Sequence, residues 1–439
     1  MRYFNIFNFE LTHFLRSKTK FLSYLFFFAA CLYSLNNGFE LQSNYLSTIN
    51  DIKDSEKETI QKITDWFESG EFGPKERSWI NVTDPYWCIR YTPTYVLKEP
   101  SPILPLGIGQ SEQYGFYQKL SIWSSPFDSD IVEEISNYER LINGNIDFSF
   151  LILFLLPLLL IILTYNINAF EQDYNFENLI KIQSGNKNKW IIIRLAFYFV
   201  VIVLPINLLF FSVAIINDAF DINLLKLILL SNSYISVFFL SFYFIIRKSF
   251  GVSSVAFKMI TLWLIFCVIV PGSVHQYVNL KYPTNYMTDF LDANRKDTYD
   301  VFKFSKEELN ERLLAIYPEL SKTKHAKDSI INRTIVRNTM SAIVNQLNLD
   351  AIKKIEEQNS NKNKLIKQSF WFNPLSYYQN KWNQLTESDY ESYKNYRKFI
   401  QNKIDQRLKL LVFECWDQKK VCTSGHRFLT FWTYFENSS

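Results

Sequence analysis

FSFLILFLLPLLLIILTY, residues 148–165, runs for eighteen residues without a charge. As a helix rising about 1.5 Å per residue, it is long enough to cross the hydrocarbon core of a bilayer. Similar runs follow at 190–216, 222–246 and 252–274, joined by short loops, and a shorter one at 21–39 precedes them. The pattern predicts a mainly α-helical membrane protein with five transmembrane helices: 21–39, 148–165 and three within 190–274.

Hydrophobic residues make up 48% of the 439 positions, yet mean hydropathy is only −0.07, so the apolar residues are gathered into these runs. The rest of the chain is largely polar. It forms two segments, 40–147 and 275–439. The net charge of +4 with no basic stripe argues against a nucleic-acid partner. The 17% aromatic content fits Phe in the spans and Tyr and Trp at the two membrane interfaces. The first twenty residues are polar and aromatic before any apolar run begins, unlike a secretory signal, so the first span is expected to stay attached.

Charge sets the orientation. Arg16, Lys18 and Lys20 precede the first run and place the amino terminus in the cytoplasm. Lys181, Lys187, Lys189, Arg247 and Lys248 fall in the other inner loops, whereas the turn 217–221 holds Asp218 and Asp221 and no cation. Five spans then put both polar segments and the carboxy terminus outside. RFLTFWTYF at 427–435 is too short for a sixth span. Pro157, Pro205 and Pro271 interrupt the spans and predict kinks. Arg194 and Lys258 lie within two turns of a cytoplasmic end and are expected to snorkel to the headgroups.

The first polar segment predicts a mixed α/β domain, with helices over 47–68 and 128–141 around a proline-broken stretch of short strands at 79–106. The second predicts a mostly helical domain. Ser305 and Glu308 form a capping-box pattern, 330–347 and 390–412 carry helical periodicity, and NSNKNK at 359–364 predicts a flexible break.

No phosphate-binding glycine loop, zinc-protease motif, nucleophile elbow or Cys-x-x-Cys pair occurs, and the four histidines are scattered. The sequence therefore predicts no catalytic, cofactor or metal site in this chain. Cys415 and Cys422 are close enough in sequence to form a disulfide in an oxidising compartment; free thiols are the other reading. Two elements on the cytoplasmic side stand out. Phe4, Phe7, Leu11, Phe14 and Leu15 recur at helical spacing, describing a helix over 1–20 that lies in the membrane interface. The loop 166–189 carries Phe170, Tyr174, Phe176 and a polar helix over 170–183, placed where a soluble motor could push on two spans.

This order of elements resembles an ABC-2-type permease, the membrane subunit of a bacterial ATP-driven exporter. The family's Glu-Leu and Arg-Ser-Lys pattern in the interfacial helix is matched by Glu10, Leu11, Arg16, Ser17 and Lys18. Its coupling segment is matched by Glu171, Asn178, Leu179, Ser184 and Lys189, with Glu177 and Asn178 standing where Gly-Thr is usual. PILPLGIGQSEQYGFYQK, 102–119, is similar to a turn in the branch with large extracytoplasmic insertions, a domain of unknown function. The resemblance implies a bacterial inner-membrane subunit that works as a homo- or heterodimer with a second permease chain. ATP and Mg would be bound by a separate cytoplasmic ABC ATPase contacting Phe170, Glu171, Tyr174, Phe176 and Leu179. A periplasmic or outer-membrane protein is a further expected partner, beside membrane lipid. The competing reading is a membrane-anchored sensor or assembly scaffold whose outer domains bind a protein.

Overall fold

The computed structural model describes residues 2–92, 94–136, 146–176, 182, 186–249, 251–283, 299–323 and 333–416, with backbone alone at 2–4, 133–136 and 333–338. The expected tail at 427–435 lies outside these residues. The described chain is mainly helical, with one two-stranded sheet. In order it runs α1 (Arg2–Arg16), α2 (Lys18–Ser69), α3 (Pro85–Tyr91), β1 (Thr94–Leu97), β2 (Tyr117–Leu120) and α4 (Asp128–Ser136). There follow α5 (148–164), α6 (Ala169–Asp173), α7 (Lys187–Ile216), α8 (Ile222–Lys248) and α9 (Val252–Lys281). The remainder is α10 (Lys306–Ile316), α11 (Arg333–Gln368), α12 (Pro374–Leu385) and α13 (Tyr390–Trp416).

Among the described residues, four helices are long and apolar enough to cross a membrane: Phe148–Asp173, Lys187–Ile216, Ile222–Lys248 and Val252–Lys281. They are apolar on all sides, as a membrane requires. Leu163, Ile206, Phe210, Leu227 and Phe242 are fully buried between helices, while Leu204, Leu208, Leu229 and Leu240 face outward and stay more than half exposed. The run at 21–39 is the first part of α2, a single 52-residue helix that continues without a break through the predicted 47–68 segment. Phe27, Cys31 and Leu35 of α2 join the core of the four long helices. Gly38 lets α2 close on the next segment: a Cβ there would stand 2.6 Å from the Cα of Pro105.

The prolines are accommodated by cross-helix hydrogen bonds. Pro157 has no N–H for the carbonyl of Leu153, and α5 widens into a π-helical turn over Leu151–Leu155. The freed Leu153 carbonyl accepts the Tyr234 hydroxyl of α8 at 2.5 Å, and that of Phe154 accepts the Trp263 indole of α9 at 2.9 Å. Pro205 likewise frees the carbonyl of Val201, which accepts the Tyr24 hydroxyl of α2 at 3.2 Å. A π-helical turn at Ile265–Ile269 precedes Pro271 in α9. At Pro157 and Pro205 the predicted kinks are thus points where one helix is stitched to another.

The polar segments form a head on one end of this bundle. Ile89, Val96, Leu120 and Ile122 from the first segment share one core with Leu309, Leu313, Ile400, Leu408 and Trp416 from the second. Strand β1 pairs antiparallel with β2, Thr94 opposite Leu120. This is the one sheet where several strands were expected over 79–106, because Asp84 caps a helix that Pro85 opens. Arg407 of α13 donates to the Thr94 hydroxyl and to the carbonyls of Ile89 and Thr92, and the Tyr396 hydroxyl donates to the Val96 carbonyl at 2.9 Å. Arg397 reaches Glu356 of α11 at 2.7 Å and Asp130 of α4 at 3.3 Å.

The capping box at Ser305 and Glu308 is present. The break predicted at 359–364 is not: α11 runs through it, with Asn359 and Asn363 buried and the Asn363 amide donating to Glu391 at 3.0 Å. Packing against α13 overrides the weak helix preference of Asn and Ser. Cys415 is buried in the head core with a free thiol that burial pushes up to about 12, and Cys422 lies outside the described residues.

Two predictions follow from this packing. Tyr234→Phe removes the partner of the Leu153 carbonyl and should destabilise the detergent-solubilised chain by about 1 kcal/mol. In a Pro157→Ala background, where the backbone can reclaim that carbonyl, the same change should cost little, so a double-mutant cycle on thermal unfolding reads the coupling. The second concerns pH. Burial raises Asp130 to about 6 against the lowering pull of Arg397, and burial also raises Asp128 and Asp147. A carboxyl whose folded value lies above its unfolded one favours the fold when protonated, so these three contribute stability that grows as pH falls from 7 through 6 toward 4, against the opposite contribution of the lowered His13. Melting temperatures at pH 5 and 7.5 check this, and Asp130→Asn should flatten the difference.

Candidate functional site

At the end of the bundle away from the head, α1 folds back along the base of α7. Its residues divide by environment. Phe7 meets Phe197 at 4.8 Å, and Phe14 is buried against Phe21, Tyr24, Phe197 and Tyr198. Leu11, Leu15 and Arg16 face outward with Phe9; only the backbone of Phe4 is described. The expected apolar face is therefore split between the bundle and the surroundings.

Glu10 points inward and is fully buried. One of its oxygens accepts from Arg194 Nε and the other from the Tyr198 hydroxyl at 3.0 Å, both on α7. Arg194 Nη1 donates to Glu171 of α6 at 2.5 Å, and the guanidinium lies 4.4 Å from the Trp190 ring centroid. Lys20, at the start of α2, donates to the Leu163 carbonyl at 2.6 Å, to Asn166 at 2.9 Å and to the Tyr198 hydroxyl at 3.0 Å. Two carboxylates and two cations balance inside the protein. His13 stays below the usual imidazole range through burial and the nearby Lys20 charge, so it adds no third cation at neutral pH.

The snorkelling expected of Arg194 is corrected by this geometry: its side chain is 3% exposed and its charge is met within the protein. Headgroups are not needed where two carboxylates are in reach. Lys258 is exposed and donates to Ser249 at 3.0 Å. The polar helix expected over 170–183 is shorter. Helix α6 ends at Asp173, and Asn175 adopts a left-handed φ of 60° that turns the chain away. Leu179 lies outside the described residues. Phe170, Tyr174 and Phe176 form an exposed aromatic cluster, with ring centroids 4.6 Å apart for Phe170 and Tyr174 and 6.4 Å for Tyr174 and Phe176.

Between α1 and this cluster opens a mostly apolar cavity of about 460 Å³, with Ile6, Phe9, Phe170 and Phe176 on its walls and Glu171 and Arg194 behind them. Glu171 Oε2 and His13 Nδ1 are buried there without a hydrogen-bond partner among the described residues. The cavity can accept an apolar side chain and offers an acceptor to a donor that comes with it. No group of acidic, His or Cys side chains among the described residues could hold a metal ion.

The sequence reading named Glu10 and Glu171 in two separate elements. The structure brings both to Arg194. Asn166 and Tyr198 carry no signal in the sequence, and Lys20 is legible there only as an orientation-setting cation; the available signal for the site was an arginine inside an apolar run with two acids, Glu10 and Glu171, in the cytoplasmic elements that precede it. No family model, curated protein or solved structure matches the chain.

Removing one member of a buried ion pair strands the other. Arg194→Leu should therefore destabilise the protein by about 3 to 5 kcal/mol. Arg194→Lys keeps the charge but loses the fork, and should recover only part of that. A triple change of Arg194→Leu, Glu10→Gln and Glu171→Gln should be more stable than Arg194→Leu alone, as thermal melts of the purified variants would show.

Proposed function

We propose that this chain is a membrane-spanning permease subunit of an ATP-driven exporter, driven by a separate cytoplasmic ABC ATPase that binds ATP and Mg. On this reading the Arg194 end faces the cytoplasm of a bacterial cell, the head projects from the outer side of the inner membrane, and residues 21–39 of α2 supply a fifth span. Phe26, Leu32 and Tyr33 favour that span, since these α2 residues are exposed on the face turned from the bundle and suit contact with lipid.

The observation that carries the reading is the Arg194 junction. A load applied to α6 meets a short, buried, charge-assisted link through Glu171 to α7 and on through Glu10 to α1. A static anchor needs no such link between a surface loop and two other helices. The exposed Phe170, Tyr174 and Phe176 rings would dock on the ATPase, and the neighbouring cavity would take a side chain from it. ATP-bound and ATP-free partner states would stabilise different arrangements of α1, α6 and α7. A dimer with a second permease chain would close the pathway.

The test is a Phe170→Ala, Phe176→Ala double variant. Both rings are about half exposed, so the fold should survive with an unchanged melting temperature. Loss of about 1 to 2 kcal/mol per anchor should strip most of the co-purifying ATPase. Retention of the ATPase at wild-type stoichiometry would remove the coupling role and leave the sensor or scaffold reading in front.

A further inference from the structure

Helix α12 belongs to the second polar segment, yet it packs inside the bundle. Leu375 and Trp382 are part of the same buried core as the spans. The Trp382 ring lies 6.4 Å from that of Phe148 and 5.8 Å from that of Phe210, near the head-side ends of α5 and α7. One turn back along α12, the Tyr378 ring is 4.9 Å from Tyr234, and its hydroxyl is 3.2 Å from that of Ser233. Tyr234 lies twelve residues past Ile222, about 18 Å along α8 at about 1.5 Å per residue. The helix also meets the π-helical turns of α5 and α9. Its amino-terminal end therefore points away from the head and down the bundle, and the turn that joins α11 to α12 is its deepest part.

That turn has the chemistry of a segment in lipid. Residues 368–380, QSFWFNPLSYYQN, hold no charge and are bracketed by Lys367 and Lys381. Trp371 is 86% exposed, and Phe372 and Tyr377 are exposed beside it. Ser369, Asn373 and Ser376 are turned inward and hydrogen-bonded, while Gln368 at the start of the stretch is exposed. The Asn373 and Phe372 amides donate to the Ser369 carbonyl at 2.9 and 3.1 Å, Ser369 Oγ donates to the Ile366 carbonyl at 2.7 Å, and the Asn373 side chain caps α12 at Ser376. Non-helical backbone at membrane depth survives only where its hydrogen bonds are met within the protein.

We propose that residues 369–385 form a re-entrant segment whose tip, Phe370, Trp371 and Phe372, is inserted into the acyl region of the leaflet on the head side. Lipid is the occupant because the exposed rings continue the apolar outer face of the spans at the depth of Tyr234. The head is thereby fixed to the bilayer at a second place, independent of how α5 and α9 enter it.

The experiment uses Trp371→Cys, with Phe372→Cys as a second site and the exposed Ser55→Cys of α2 as the solvent reference, each in a Cys422→Ser chain carrying an environment-sensitive fluorophore in phosphatidylcholine vesicles. The fluorophore at 371 should emit to the blue of that at 55, be quenched by nitroxide-labelled acyl chains, and be quenched by iodide about fivefold less than at 55. Iodide quenching equal to that at 55 would place the tip in water and overturn the proposal. Shielding from both quenchers at 371 and 372 would mean that protein, a second copy included, covers the tip, and would overturn it equally.

Discussion

Burying a guanidinium inside a membrane protein is tolerable only if its charge is matched where it sits, and this requirement organises the base of the bundle. Arg194 holds Glu10 on one side and Glu171 on the other, and α1 can lie along α7 only because Glu10 is turned inward toward that cation. Such a buried ion pair adds little net stability, since desolvation offsets most of the attraction. What it fixes is register: α1, α6 and α7 cannot slide past one another without stranding a charge. Lys20 extends the same constraint to the start of α2 and the end of α5 through Tyr198, Asn166 and the Leu163 carbonyl.

The middle of the bundle follows a second rule of the same kind. In a bilayer a carbonyl released by proline has no water to accept from. Leu153 and Val201 take tyrosine hydroxyls from other helices instead. Pro157, with the π-helical turn before it, is thus a bonding position for α8, and Pro205 one for α2. These bonds hold the spans together where apolar packing alone would let them rotate.

The head obeys the ordinary rules of a soluble core, with one exception. Its two sequence-distant segments share apolar residues and are drawn together by Arg397 and Arg407 of α13, which reach α4, α11, β1 and the end of α3. The exception is α12, whose Trp382 indole donates to the Leu106 carbonyl at 2.8 Å while Leu375 and Tyr378 pack among the spans. Head and bundle therefore interlock around α12.

The sequence by itself determined the mainly helical class, the four helices long and apolar enough to cross a membrane, the capping box at Ser305 and the long helices of the second polar segment, because each rests on local composition or on a period repeated over many residues. It also marked Glu10 and Glu171, though as members of separate elements. It misread the extent of α6, which a left-handed Asn175 ends locally, and it misread Arg194 and the 359–364 stretch for another reason: each depends on a neighbour remote in sequence. Whether an arginine snorkels or is buried is decided by carboxylates 184 and 23 positions away. Whether an Asn- and Lys-rich stretch breaks a helix is decided by what packs against it. The juxtaposition of α1, α6 and α7, the tyrosine bonds to proline-freed carbonyls and the descent of α12 into the bundle were settled only in the tertiary structure, because burial and charge compensation are properties of the assembled surfaces and of no single segment.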